Sequence, residues 1–144
     1  MLCPFKSIKK QTIFILHMKT SNPIIYIEIP VLDMDRAIDF YQTVLDCVLE
    51  REVLDGYEMA HFPFHSNQGG ASGSLVKGDV YKPTKDGVIL YFYTNDIEQT
   101  LERARKFDSE ILYPKTINTD LGYAIAEISD SEGNRIALKQ LITS

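Results

Sequence analysis

Apolar and polar residues alternate with period two at the start of the chain's patterned region. Ile25, Ile27 and Ile29 interleave with Tyr26 and Glu28, the signature of a strand with one face on a core. Pro30 ends the strand, and Asp33 stands as an N-cap. Ala37, Ile38, Tyr41 and Leu45 then fall at helical spacing, which predicts a helix over 35–45 with one apolar face. The pattern next predicts strands over 48–53 and 58–64, turning at Gly56 and Tyr57. A glycine-rich fourth strand follows, with Gly69, Gly70, Ala71 and Gly73, whose small residues let another backbone come close. Residues 77–87, with Pro83, read as a linker.

The same order then recurs. Val88, Leu90 and Phe92 alternate with Ile89, Tyr91 and Tyr93, Asp96 is the next cap, and Ile97, Leu101 and Ala104 line a helix ending near Phe107. Further strands are predicted over 110–117, 123–128 and 135–141. Asp33 and Asp96 stand 63 positions apart, and so do Gly70 and Gly133, and Leu75 and Leu138. Anchors sharing one offset indicate a duplicated unit, and paired units commonly share a core and place a ligand site between them. The domain therefore runs over 22–142, with modules at about 22–76 and 87–142, after an extension of residues 1–21.

Strand parity sorts the side chains into two faces. With Ile25, Ile27 and Ile29 beneath a helix, Tyr26 and Glu28 point the other way, and the offset adds Ile89 and Tyr91 to that face. Tyr93 follows by alternation. Leu75 and Leu138 belong to the core side, so Ser74, Ala137, Ser72 and Arg135 join Tyr26. The candidate ligand-binding set is Tyr26, Glu28, Ser72, Ser74, Tyr91, Tyr93 and Arg135, and a curved sheet with that face inward is a cup.

Composition narrows the function. The 144 residues are 44% apolar and 24% charged, suited to one folded domain. The net charge of −5 comes without a basic stripe, which argues against nucleic acid. Cys3 and Cys47 are too few for a disulfide framework and fit a reducing compartment, so a cytoplasmic location is expected. Lys6, Lys9 and Lys10 before Thr12 to Leu16 imitate a signal sequence, but the apolar run falls short of the roughly 7–15 residues required. The same stretch, from Thr12 to Ile15, has the composition of an extra edge strand. No run reaches the roughly 18 apolar residues of a membrane span.

DMDRAIDFYQTVL, GGASGSL, NDIEQTLERA and DSEGNRIAL together resemble the glyoxalase, bleomycin-resistance and extradiol-dioxygenase (vicinal oxygen chelate) superfamily, over residues 22–142. The resemblance implies an α+β fold of two βαβββ modules forming an eight-stranded, cup-shaped mixed sheet with helices outside, commonly completed by dimerisation. It also implies a divalent metal held by histidine, glutamate or glutamine on the first, fourth, fifth and eighth strands. Those positions fall at Tyr26, Ser74, Ile89 and Ala137. None carries the nitrogen or carboxylate donor that such a site needs about three times over. A one-residue register shift would bring in Glu28 or Glu127 only against strand parity.

His61 and His65 would stand about 13 Å apart on one strand face at roughly 3.3 Å per residue, too far to share an ion unless Pro63 bends the chain. His61 reads as a half-buried strand residue and His65 as a solvated loop residue. Glu28 and Arg135 form either part of an acid–base and anion-clamping set or a salt bridge between neighbouring strands. The glycines at 69, 70 and 73 lack the lysine and helix of a phosphate loop. The expectation is a metal-free, cofactor-free homodimer that binds a small organic molecule for sequestration or resistance. A glyoxalase-like metal-dependent lyase or isomerase and a dimeric interaction module without a ligand are the alternatives.

Overall fold

The computed structural model describes residues 22–143, so the expected extension and the strand considered at Thr12 to Ile15 lie outside the described residues. Eight strands and two helices follow in the order β1 (Tyr26–Pro30), α1 (Met34–Leu45), β2 (Glu50–Leu54), β3 (Tyr57–His61), β4 (Ser72–Lys77), β5 (Leu90–Tyr93), α2 (Ile97–Arg105), β6 (Ile111–Asn118), β7 (Tyr123–Ser129) and β8 (Arg135–Leu141). They form two four-stranded mixed sheets with the orders β1-β4-β3-β2 and β5-β8-β7-β6. The first pair in each order is parallel and the rest antiparallel, so each half is the predicted strand, helix and three strands.

The sequence offset survives in the hydrogen-bond register. Ile27 pairs with Gly73 and Leu90 with Ile136, while Glu28 pairs with Ser74 and Tyr91 with Ala137. It slips in one strand. His61 faces Ser74, but Glu127, 66 positions further on, faces Ala137. The connection from β7 to β8 is shorter than that from β3 to β4, and β6 carries register shifts against β7.

Local chemistry explains both helix starts. The Asp33 side chain accepts from the Arg36 amide and the Asp96 side chain from the Gln99 amide, each satisfying a donor that the first turn leaves free. Strand boundaries depart more. Gly69 and Gly70 lie in a bend, with Gly70 at φ +114°, and β4 starts only at Ser72. Ile25 precedes β1 and is exposed, and Val48 likewise precedes β2. Lys77, expected in the linker, closes β4. Gly73 does permit a close approach, since a Cβ there would stand 3.0 Å from the Ile27 carbonyl oxygen.

Both modules feed one core. Ile29, Phe40, Tyr41, Val44 and Leu75 join Ile97, Leu101, Ile128, Ile136 and Leu138, and the two helices touch. The edge-on contacts of Tyr41 with Phe40 and Phe62 extend through Phe92 across the module boundary. The loop from β7 to β8 adds a polar strut. Buried Tyr41 donates to Asp130 at 2.7 Å, and Asp130 also accepts from the Glu132 and Asn134 amides. Burial, the charge of Asp130 and that hydrogen bond push the Tyr41 phenol well above its ordinary range, so it remains a donor.

Candidate functional site

Strand pairing gives the first sheet a polar face built from alternate residues of four strands. Tyr26, Ser74, His61 and Glu52 meet there. Tyr26 Oη donates to Ser74 Oγ at 2.9 Å, His61 Nδ1 lies 2.6 Å from the same oxygen, and His61 Nε2 lies 2.6 Å from Glu52 Oε2. Ser74 is fully buried beneath its partners, while Tyr26 is 45% exposed. Next to them Glu28 accepts from Tyr81 Oη at 2.7 Å, a bond that, with burial and the carboxylate charge, raises the Tyr81 phenol. Ser72 donates to the Ile25 carbonyl at 3.1 Å.

The equivalent face of the second sheet carries different chemistry. Tyr91 and Tyr93 are exposed, and Tyr93 donates to Asn95 at 2.6 Å. Arg135 Nε donates to Glu127 Oε2 at 2.5 Å, with Arg135 Nη2 on the same oxygen. The salt bridge considered between Glu28 and Arg135 is not formed. The two residues lie in different sheets, and Glu127 on the adjoining antiparallel strand is the nearer carboxylate. Glu127 also corrects the parity argument, because its pairing with Ala137 puts it on this face without any shift of register.

An apolar hollow of about 330 Å³ opens between the modules. Ile27, Cys47, Phe62 and Phe92 wall it, and Ser72 and Tyr93 also line it. Burial and Asp46 raise the Cys47 thiol. Parity from the sequence did not reveal this space. Its walls belong to the core side of β1 and β5, and the gap there depends on how two sheets pack.

The positions where the resemblance would seat a metal do not fit one. Ser74 is engaged by Tyr26 and His61, Tyr26 is a phenol, and Ile89 and Ala137 have no donor atom. Among the described residues no three His, Cys, Asp or Glu side chains group as a metal set. His65 stays exposed in the loop after β3, away from the bonds of His61. The contact of His61 with Ser74 was not legible in the sequence, because the ten residues between β3 and β4 leave the register open. No helix among the described residues is long and apolar enough to cross a membrane.

Comparison with known proteins places this geometry. Residues 24–138 match the family model described as the Glyoxalase/Bleomycin resistance protein/Dioxygenase superfamily. No curated protein matches the sequence. Among solved structures, glyoxalase I of Leishmania major is 21% identical with a TM-score of 0.63, the match covering 83% of this chain and 87% of that one. TnmS3, an antibiotic binding protein from Streptomyces sp. CB03234, is 22% identical with a TM-score of 0.58, covering 85% and 98%. Glyoxalase I from Zea mays is 18% identical with a TM-score of 0.60, covering 80% of this chain and 44% of that longer one. At these identities the likeness is one of fold.

Proposed function

The chain belongs to the glyoxalase, bleomycin-resistance and dioxygenase superfamily, and on that premise we propose that it is a metal-free receptor for a small organic molecule. The observation that carries this reading is the hollow between the modules. Its volume of about 330 Å³ and its aromatic walls suit a compact apolar ligand. Burial and stacking on Phe62 and Phe92 supply affinity, and Ser72 and Tyr93 meet the ligand at the edge. Tyr26, Glu28, Ser74, Tyr91 and Arg135 line the other face of the sheets, a second and more polar surface for a ligand. The antibiotic binding by the similarly folded TnmS3 supports a sequestering or resistance role.

The receptor works in the cytoplasm as a homodimer, needs no cofactor, and is formed by residues 22–142. Tyr91, Tyr93, Tyr113 and Leu141 are large apolar side chains left exposed on the second sheet, a surface that a second copy would cover.

Metal analysis of the purified protein, with thermal shift against an aromatic small-molecule collection and against nickel, zinc and manganese, tests the reading. The expected result is substoichiometric metal and a higher Tm with a subset of the organic compounds, because a ligand of the native state stabilises it. A stoichiometric ion, or stabilisation by divalent metal alone, overturns it in favour of a metal-dependent lyase or isomerase.

A further inference from the structure

The hollow between the modules does not end at its aromatic walls. Leu45 and Tyr93, which line it, also line a second cavity of about 270 Å³ held between the end of α1, the end of β5 and one face of α2. We infer that the two cavities form one bipartite site for a zwitterionic aromatic molecule of the amino-acid type, its ring in the hollow, its carboxylate on Arg103 and its ammonium on Asp46. The inference rests on the receptor reading and adds the chemical class of the ligand's head group.

The lining of the two cavities divides the ligand. Among the described residues no charged side chain lines the hollow, so an ion placed there would lose its hydration without gaining a partner. The adjoining cavity is the reverse. Asp46, Asp96 and Arg103 line it, with Asn95 and Gln99 beside them. Asp96, Gln99, Thr100 and Arg103 follow one another at spacings of three, one and three residues, which puts them on one face at the start and along the length of α2.

Most polar groups of this second cavity are already engaged by the protein. Asp96 accepts from the Gln99 amide at 3.1 Å, the Thr94 and Thr100 hydroxyls stand 2.7 Å apart, and Tyr93 donates to Asn95 at 2.6 Å. Arg103 and Asp46 differ. Neither joins an ion pair among the described residues, although the adjacent Arg105 is paired with Glu102. A guanidinium and a carboxylate that line one cavity without meeting each other leave room between them for a group bearing both charges. A lone carboxylate leaves Asp46 unanswered and a lone ammonium leaves Arg103 unanswered. A head with both charges matches each, and the planar fork of Arg103 suits a carboxylate.

Four probes that share an indole ring and differ in the head test the inference. 3-Methylindole carries no charge, indole-3-propionate a carboxylate, tryptamine an ammonium and L-tryptophan both. Calorimetric titration at pH 7.5 is expected to give L-tryptophan the lowest Kd, about fivefold below either singly charged probe, the upper scale of one partly exposed charge pair. Arg103→Gln should bring L-tryptophan level with tryptamine. Asp46→Asn should bring it level with indole-3-propionate, and asparagine tolerates the left-handed backbone there, at φ 52°. Neither substitution should alter the Kd of 3-methylindole, which occupies the hollow alone. Every probe that binds should slow alkylation of Cys47 by N-ethylmaleimide, read from the mass of its peptide, because that thiol lines the hollow. Equal affinity for 3-methylindole and L-tryptophan, or a preference for L-tryptophan that survives both substitutions, overturns the inference and leaves the receptor reading intact. L-Tryptophan bound without protection of Cys47 overturns the joining of the two cavities. Binding of no probe also overturns the inference, and the receptor reading falls with it only where the aromatic collection is silent as well.

Discussion

The two modules share a backbone plan and diverge in what they do with it. On their core sides Leu75 and Leu138 are both fully buried at matching positions beneath the helices. On their outer faces the matching positions part company. Ser74 in the first module is the centre of a hydrogen-bonded chain, while Ala137 in the second lies beside an Arg135–Glu127 ion pair. Close packing constrained one side of each sheet, because every core atom has neighbours to satisfy, while the other side stayed free to specialise.

The core equivalence makes the largest prediction. Leu75→Ala and Leu138→Ala should each cost about 3 kcal/mol of unfolding free energy, as for buried leucines elsewhere. Urea titrations that separate the two by more than about 2 kcal/mol, the usual spread for such sites, would show that the cores are not equivalent.

The strut between modules is where symmetry ends. Asp130→Ala strands the Tyr41 hydroxyl and two buried amides, and should cost about 3 kcal/mol. Its partner at the 63-residue offset, Asn67, is exposed, and Asn67→Ala should stay within about 0.5 kcal/mol. Equal losses from the two would remove the asymmetry.

Acid should expose the same asymmetry. Burial works to raise the Glu132 carboxyl. Arg36, the Asp33 amide, Ser131 and the Leu32 amide together outweigh it and hold the group below its ordinary value. A depressed folded pKa contributes stability that is present above the unfolded value, about 4.3, and lost as pH falls through the folded one. Stability of the protein should therefore decline below about pH 4.3, and Glu132→Gln should flatten that decline while lowering stability at neutral pH. An unchanged acid limb in the variant would show that other carboxylates govern it.

The helix caps give the smallest effect and return to symmetry. Asp33→Ala and Asp96→Ala should each cost about 1 kcal/mol, the usual value of an N-cap. Thermal unfolding of both variants checks whether the two halves are punctuated alike.

The duplication, the two capped helices, the order of the strands and the core side of β1, β4, β5 and β8 were legible in the amino-acid sequence. These follow from residue type and local spacing: an aspartate before an amphipathic run, isoleucines every second position, leucines 63 residues apart. Which residues meet across the outer faces was settled by the folded chain. Glu28 reaches Tyr81 rather than Arg135, His61 reaches Ser74 and Glu52, and a hollow opens between Phe62 and Phe92. Those contacts depend on loop lengths and on the packing of one sheet against another. Periodicity records which way a side chain points, and only folding brings distant strands to the distance at which a hydrogen bond forms.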